Sequence, residues 1–157
     1  ILNNLNKYSP TTATNKVIKN DKQKHYRQVS CLNLSGKGFS FTGNKNTKYF
    51  NHIVMPNLVV SGNMLSNDKV INKIVDNFKF KNEPLAKTLL EALKIGKKFG
   101  SDKRGLMSAA LLVFKKNNPP LNIRVDHDTN PLVKLEKILK MTNKTKYKEW
   151  LKKLPTK

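Results

Sequence analysis

Three short polar segments carry the side chains with chemical potential in this 157-residue chain. They are Ser61-Gly62-Asn63, the glycine-bracketed run Gly100-Ser101-Asp102-Lys103-Arg104-Gly105, and Arg124-Val125-Asp126-His127-Asp128. Asn63 offers an amide that can donate to an oxyanion, the stabilisation that acyl transfer needs. Asp102 and Arg104 stand two residues apart, as do Arg124 and Asp126. That spacing allows a charge-assisted bond within each segment, or cross-pairing between the two. An arginine held in this way can present its remaining donors to a carboxylate or phosphate. The plainer reading is a set of ion pairs that only fix the loops.

Asp126, His127 and Asp128 offer a general base or metal ligands. Three adjacent residues rarely all ligate one ion, and His25 and His52 have no ligand spacing with His127, so no metal site is expected. Ser108 follows the glycine-bracketed loop without a G-x-S-x-G elbow, so it reads as a small residue in close packing or a substrate contact rather than a nucleophile. Cys31, the one cysteine, reads as a buried inert thiol and excludes an internal disulfide. Gly36-Lys37-Gly38 is too short for a phosphate loop.

These segments lie at the ends of predicted elements, where rigid structure can hold polar groups in register. Ser9-Pro10 starts a helix that runs to about Lys19. Tyr26 to Leu32 and Gly38 to Thr42 form a hairpin across Asn33–Lys37. A polar loop follows from Thr42-Gly43 through Asn51. Leu58-Val59-Val60 is a short buried strand leading into Ser61-Gly62-Asn63. Val70, Ile71, Ile74, Val75 and Phe78 keep helical spacing after a cap at Asn67 or Asp68. Leu85, Leu89, Leu90 and Leu93 give a second helix after Glu83-Pro84, ending near Gly96 or Gly100. Ser108 to Phe114 is an unbroken apolar run, predicted as a strand buried on both faces. Leu121 to Val125 is the next strand, after the turn Asn117–Pro120, and Pro131 opens a helix. Lys144 to Lys157 reads as an amphipathic helix with a basic face, docked on the core or on a membrane or partner surface.

Lysine plus arginine number 31 against 10 acidic residues, a formal net charge of +21. Only Arg27, Arg104 and Arg124 are arginines, and asparagine occurs 20 times. Lysine and asparagine share A-rich codons, and the lysines spread over the whole chain. A compositionally basic surface is favoured over a nucleic-acid site, which gathers its basic residues on one face. Where lysine has nearly displaced arginine, the three survivors are candidates for positions that need a planar guanidinium, with chance survival as the plainer reading. No apolar run reaches the roughly 18 residues of a membrane span.

The order Arg27-Gln28-Val29, Thr42-Gly43, Gly62-Asn63-Met64-Leu65, Asp102 with Arg104-Gly105, Ser108-Ala109-Ala110-Leu111-Leu112-Val113 and Ile123-Arg124-Val125-Asp126 resembles the bacterial DUF1028 family, regarded as Ntn-hydrolase-like. The resemblance covers roughly Tyr8 to Lys140. It implies an α+β fold, a layered αββα sandwich, as one domain over residues 1–141 with 142–157 as a C-terminal amphipathic helix or tail. It also implies that the sandwich is incomplete at the N-terminus, with first strands and an N-terminal Thr, Ser or Cys nucleophile upstream of Ile1. Gly100-Ser101 stands where the family commonly has a glycine pair, and the single Asp126 where it often has two aspartates.

The expected function is that of an Ntn-hydrolase-like protein cleaving an amide bond when full length, with this stretch inactive by itself. Asn63, Asp102 and Arg104 then support catalysis, and Ser108, Arg124, Asp126 and His127 contact substrate. The alternatives are a non-catalytic binding or structural domain and, less favoured, a basic nucleic-acid binder. The expected partner is a small-molecule or peptide substrate. A homodimer is allowed for, and no cofactor or specific nucleic acid is expected. The lone cysteine and the lack of a signal pattern fit a cytoplasmic location.

Overall fold

The computed structural model describes residues 1–79 and 83–154. The chain divides into two compact units, residues 1–76 with 99–104 and residues 77–98 with 105–157. Among the described residues there are six α-helices and three two-stranded antiparallel sheets. No described helix is long and apolar enough to cross a membrane.

The first unit opens with a short helix, α1 (Leu2–Leu5), and then α2 (Pro10–Ile18). Ser9 caps α2 by accepting the Thr12 amide at 3.2 Å, and Pro10 occupies the first turn, where no amide proton is needed. A 3-10 turn at Lys24–Tyr26 places Tyr26 outside the sheet, so the first strand starts later than its residue types predict. β1 (Gln28–Leu32) and β2 (Gly38–Thr42) pair in register Gln28 with Thr42 through Leu32 with Gly38. Cross-strand partners share a face. Gln28, Ser30, Ser40 and Thr42 therefore lie on one side, and Val29, Cys31, Phe39 and Phe41 on the other. Helix α2 packs on this hairpin, with Ala13 and Thr14 fully buried.

The polar loop after Thr42 runs to Phe50, as predicted, and ends in a strand that the residue types did not reveal. β3 (Asn51–Met55) begins there and pairs with β4 (Leu58–Gly62) across the tight turn Pro56-Asn57. β4 is half-buried rather than buried, because its residues alternate between two environments. His52 and Ser61 face the first hairpin, as the bonds from Thr42 and Ser30 require. Ile53 and Val60 face the other way and pack with Leu65 and α3 (Lys69–Asn77), whose Val70 and Ile71 are almost fully buried. Asn67 accepts the Lys69 amide at 2.9 Å at the start of α3. The element order through this unit is thus α2, hairpin β1–β2, hairpin β3–β4, α3. The facing hairpin surfaces carry serines and Gly38. A Cβ at Gly38 would lie 2.6 Å from Val59 Cγ2 and 3.0 Å from Val54 Cγ1, so glycine is what lets the hairpins approach.

The second unit contains α4 (Leu85–Lys98), the hairpin β5 (Ala109–Val113) with β6 (Leu121–Val125), α5 (Pro131–Thr142) and α6 (Thr145–Lys152). Its core joins Ala86 and Leu90 of α4, Leu111, Ile123 and Val125 of the hairpin, and Leu132, Leu135 and Leu139 of α5. Full burial of each large aliphatic side chain contributes about 1.5–3 kcal/mol. β5 is not buried on both faces, contrary to what its apolar run predicts. Leu111 points inward with its partner Ile123, while Leu112 is 51% exposed on the outer side with Ala110. A two-stranded hairpin covered by helices on one side has one buried face, whatever its run of apolar residues. Lys94 of α4 ties to α5 by reaching Glu136 at 3.1 Å, while also pairing with Glu91 of its own helix at 2.9 Å. The described part of the predicted C-terminal helix is α6; residues 155–157 lie outside the described residues.

Candidate functional site

The candidate site of the first unit forms where its strands end. Asp102 lies in antiparallel bridge contact with Leu65. The Lys103 amide donates to Met64 O at 2.9 Å, and the Ser66 amide to Ser101 O at 3.0 Å. These bonds pin the glycine-bracketed loop onto the Asn63–Ser66 stretch. Gly100 enters it at φ +139, and a Cβ there would lie 2.1 Å from Ser66 Oγ. Ser101 follows at φ +66, in the left-handed region that favours glycine.

Within the loop, Asp102 Oδ1 accepts the Arg104 amide at 2.8 Å and Arg104 Nε at 3.0 Å, while Oδ2 accepts Arg104 Nη2 at 2.7 Å. This is a bidentate fork that also closes a two-residue turn. The guanidinium hydrogen bond holds the Asp102 carboxyl down at about 2, well below the usual carboxylate range, with the backbone amide adding to it. The same bond raises Arg104 above its ordinary value. The arginine side chain is 64% exposed, so its outer donors face solvent while Asp102 fixes its plane.

Asn63 is exposed next to this loop, and its Nδ2 donates to Gln28 Oε1 at 3.2 Å. Gln28 Nε2 in turn lies within hydrogen-bond distance of Thr42 Oγ1 (3.0 Å), Gly62 O (3.0 Å) and Asn51 O (3.2 Å). Thr42 Oγ1 meets His52 Nδ1 at 2.8 Å. Four side chains from four strand ends thus form one polar network: Asn63, Gln28, Thr42 and His52. A second network lies beside it, Ser30 Oγ reaching Ser40 Oγ at 2.9 Å and Ser61 Oγ at 2.8 Å. Sequence reasoning assigned no role to Gln28, Thr42 or His52. The first two sit inside the motifs Arg27-Gln28-Val29 and Thr42-Gly43, a signal that could have found them. His52 has only the chemistry of a metal ligand in the sequence, without ligand spacing to His127.

In the second unit the predicted residues separate into different roles. Arg124 Nε donates to Asp126 Oδ1 at 2.7 Å, and both side chains are about 70% exposed (68% and 72%). Such a surface pair contributes little to stability. Asp128 turns to the start of α5, where its Oδ1 accepts the Asn130 amide at 2.7 Å and its Oδ2 pairs with Lys134 at 3.3 Å. The amide and then the lysine hold its carboxyl below the ordinary value. His127 is exposed between these two acids. Ser108 is exposed ahead of β5, not packed closely as its size suggests. Among the described residues no cluster of three His, Cys, Asp or Glu side chains is placed to hold a metal.

All three arginines pair through Nε with an aspartate: Arg27 with Asp21 at 3.1 Å, Arg104 with Asp102, and Arg124 with Asp126. Each aspartate is engaged within its own segment, so the pairing is local.

The fold is similar to the crystal structure of protein SPO2555 from Silicibacter pomeroyi, described as a DUF1028 protein, with a TM-score of 0.87 and 28% identity over 96% of this chain and 68% of that one. No curated protein matches the sequence. Residues 1–135 match the family of unknown function DUF1028 and include every polar segment described above. The chain belongs to the DUF1028 family.

Proposed function

We propose that this DUF1028 protein is an Ntn-hydrolase-like amide hydrolase acting on a substrate with an anionic group, its nucleophile supplied from outside these 157 residues. The observation that carries this reading is the Asp102–Arg104 fork pinned beside Asn63 at one end of the first unit. Arg104 is oriented yet exposed, which suits recognition of a carboxylate or phosphate. Asp102 is a positioning residue and stays ionised for that task. Asn63 is the nearby amide donor for a developing oxyanion. The order α2, hairpin, hairpin, α3 supports a layered αββα sandwich as the frame.

A second reading is a binding or structural domain without chemistry. It is favoured by one observation: the Asn63 amide already donates to Gln28 within a network of protein partners.

The test is an amide-hydrolysis screen with N-acyl amino acids and short acidic peptides, run on the 157-residue chain and on the full-length protein. Turnover by the full-length protein alone, reduced tenfold or more by Arg104→Lys (about 1.4 kcal/mol in the barrier), is expected. Equal turnover by the 157-residue chain places the nucleophile inside it and overturns that part of the proposal. No turnover by either, with an anionic ligand still bound, leaves the binding reading.

A further inference from the structure

The second unit carries a surface that the proposed hydrolase site does not use. Helix α6 has no buried residue. Tyr147, Leu151 and Leu154 turn partly toward the body, and Leu151 and Leu154 line a cleft with the turn residues Asn117, Asn118 and Pro119. Trp150 stacks obliquely on Tyr147, ring centroids 5.5 Å apart, yet remains 50% exposed. Lys146 and Trp150 of the helix and Lys153, which follows its last residue in helical conformation, stand four and three residues apart and share one exposed stripe. Between residues 144 and 153 there are five lysines and one acid, Glu149. The turn that meets α6 begins with Phe114, 71% exposed, followed by exposed Lys115 and Lys116.

We propose that α6, with the Lys115-Lys116 segment beside it, is a docking surface for an anionic phospholipid bilayer. Charge complementarity selects the occupant: lysines flank an exposed indole, and almost no acid opposes them. Indole rings settle at the headgroup level, where an apolar ring and a polar N–H are both satisfied. Lysine ammonium groups next to it attract anionic headgroups without needing a fixed geometry. A sequence-reading nucleic-acid surface would instead be expected to use guanidinium forks, and all three arginines lie outside α6.

Trp150 is the sole tryptophan, so its fluorescence reports this surface alone. The whole chain is titrated with vesicles of phosphatidylcholine and with vesicles containing phosphatidylglycerol, with sedimentation as a second readout. The expected result is binding and a blue-shifted Trp150 emission with the anionic vesicles only. Replacing Lys146, Lys148, Lys152 and Lys153 by glutamine weakens binding at least about tenfold. Replacing Lys7, Lys19, Lys22 and Lys37 of the first unit in the same way changes it by less than about threefold. Circular dichroism confirms that each variant folds.

Three results overturn the proposal. One is an absence of binding to anionic vesicles. Another is binding without a Trp150 shift or with equal loss in both lysine variants, which is attraction by net charge only. The third is displacement from vesicles by single-stranded RNA at equal phosphate concentration, which makes the surface a nucleic-acid site.

Discussion

Asp102 accepts Arg104 twice through the guanidinium, at 3.0 and 2.7 Å, and once through its amide, at 2.8 Å. One carboxylate thereby sets both the turn of the loop and the plane of the arginine. A lysine at residue 104 keeps the charge and loses the fork.

The first prediction follows from the depressed Asp102 carboxyl, near 2 when folded against about 3.9 in an unfolded chain. A depressed acid stabilises the fold above its unfolded value and loses that contribution as pH falls toward its folded one. Urea midpoints of the wild type and Asp102→Asn therefore differ at pH 6 and converge between about pH 4 and 2. Arg104→Lys lowers Tm by no more than about 2–4 °C, because the arginine is exposed. A constant gap between wild type and Asp102→Asn across that pH range would show that ionisation of Asp102 does not matter.

Ser101 at φ +66 carries the strain of a β-carbon in the left-handed region. Ser101→Gly removes it while adding chain entropy to the unfolded state. The strain term is larger, so stability rises by about 0.5–1 kcal/mol. Thermal unfolding measures it, and an unchanged or lower Tm refutes the argument.

The loop geometry was legible because its residues act locally. The spacing of Asp102 and Arg104 allowed the bond that forms, with cross-pairing to Arg124 and Asp126 as the alternative, and the scarcity of arginine marked all three as candidates for positions that need a guanidinium. Helix α2 and the first hairpin were legible through Ser9-Pro10 and the polar turn Asn33–Lys37. β3 was not. Its inward residue His52 faces serines and Thr42 rather than an apolar core, so the strand lacks the alternation that reveals a half-buried sheet. β5 misled for the opposite reason, since Leu112 breaks the alternation by being apolar on the outer face. The Gln28 network joins residues up to 35 positions apart, which no local spacing encodes.

Gly38 tests how close the two hairpins of the first unit are packed. Gly38→Ala places a methyl 2.6 Å from Val59 Cγ2, a branched side chain with little room to turn. Overpacking of this kind costs about 1–3 kcal/mol. Adding Val59→Ala should recover part of the loss, so the two substitutions are less than additive in denaturant titrations. Full additivity would mean that the hairpins separate without strain.

Gln28 is the residue on which the candidate site depends most. Its amide faces two backbone carbonyls, Asn51 O and Gly62 O, as well as Thr42, and its oxygen holds Asn63. Gln28→Leu keeps the volume and leaves these part-buried groups without their partner. The expected loss is about 1–3 kcal/mol in urea unfolding, larger than for an exposed glutamine. The same substitution releases Asn63 Nδ2. If Asn63 serves as an oxyanion donor only when Gln28 orients it, turnover of the full-length protein falls in kcat while KM for an anionic substrate, set by Arg104, stays within about twofold. A rise in KM with kcat unchanged would assign Gln28 and Asn63 to substrate binding rather than to the chemical step.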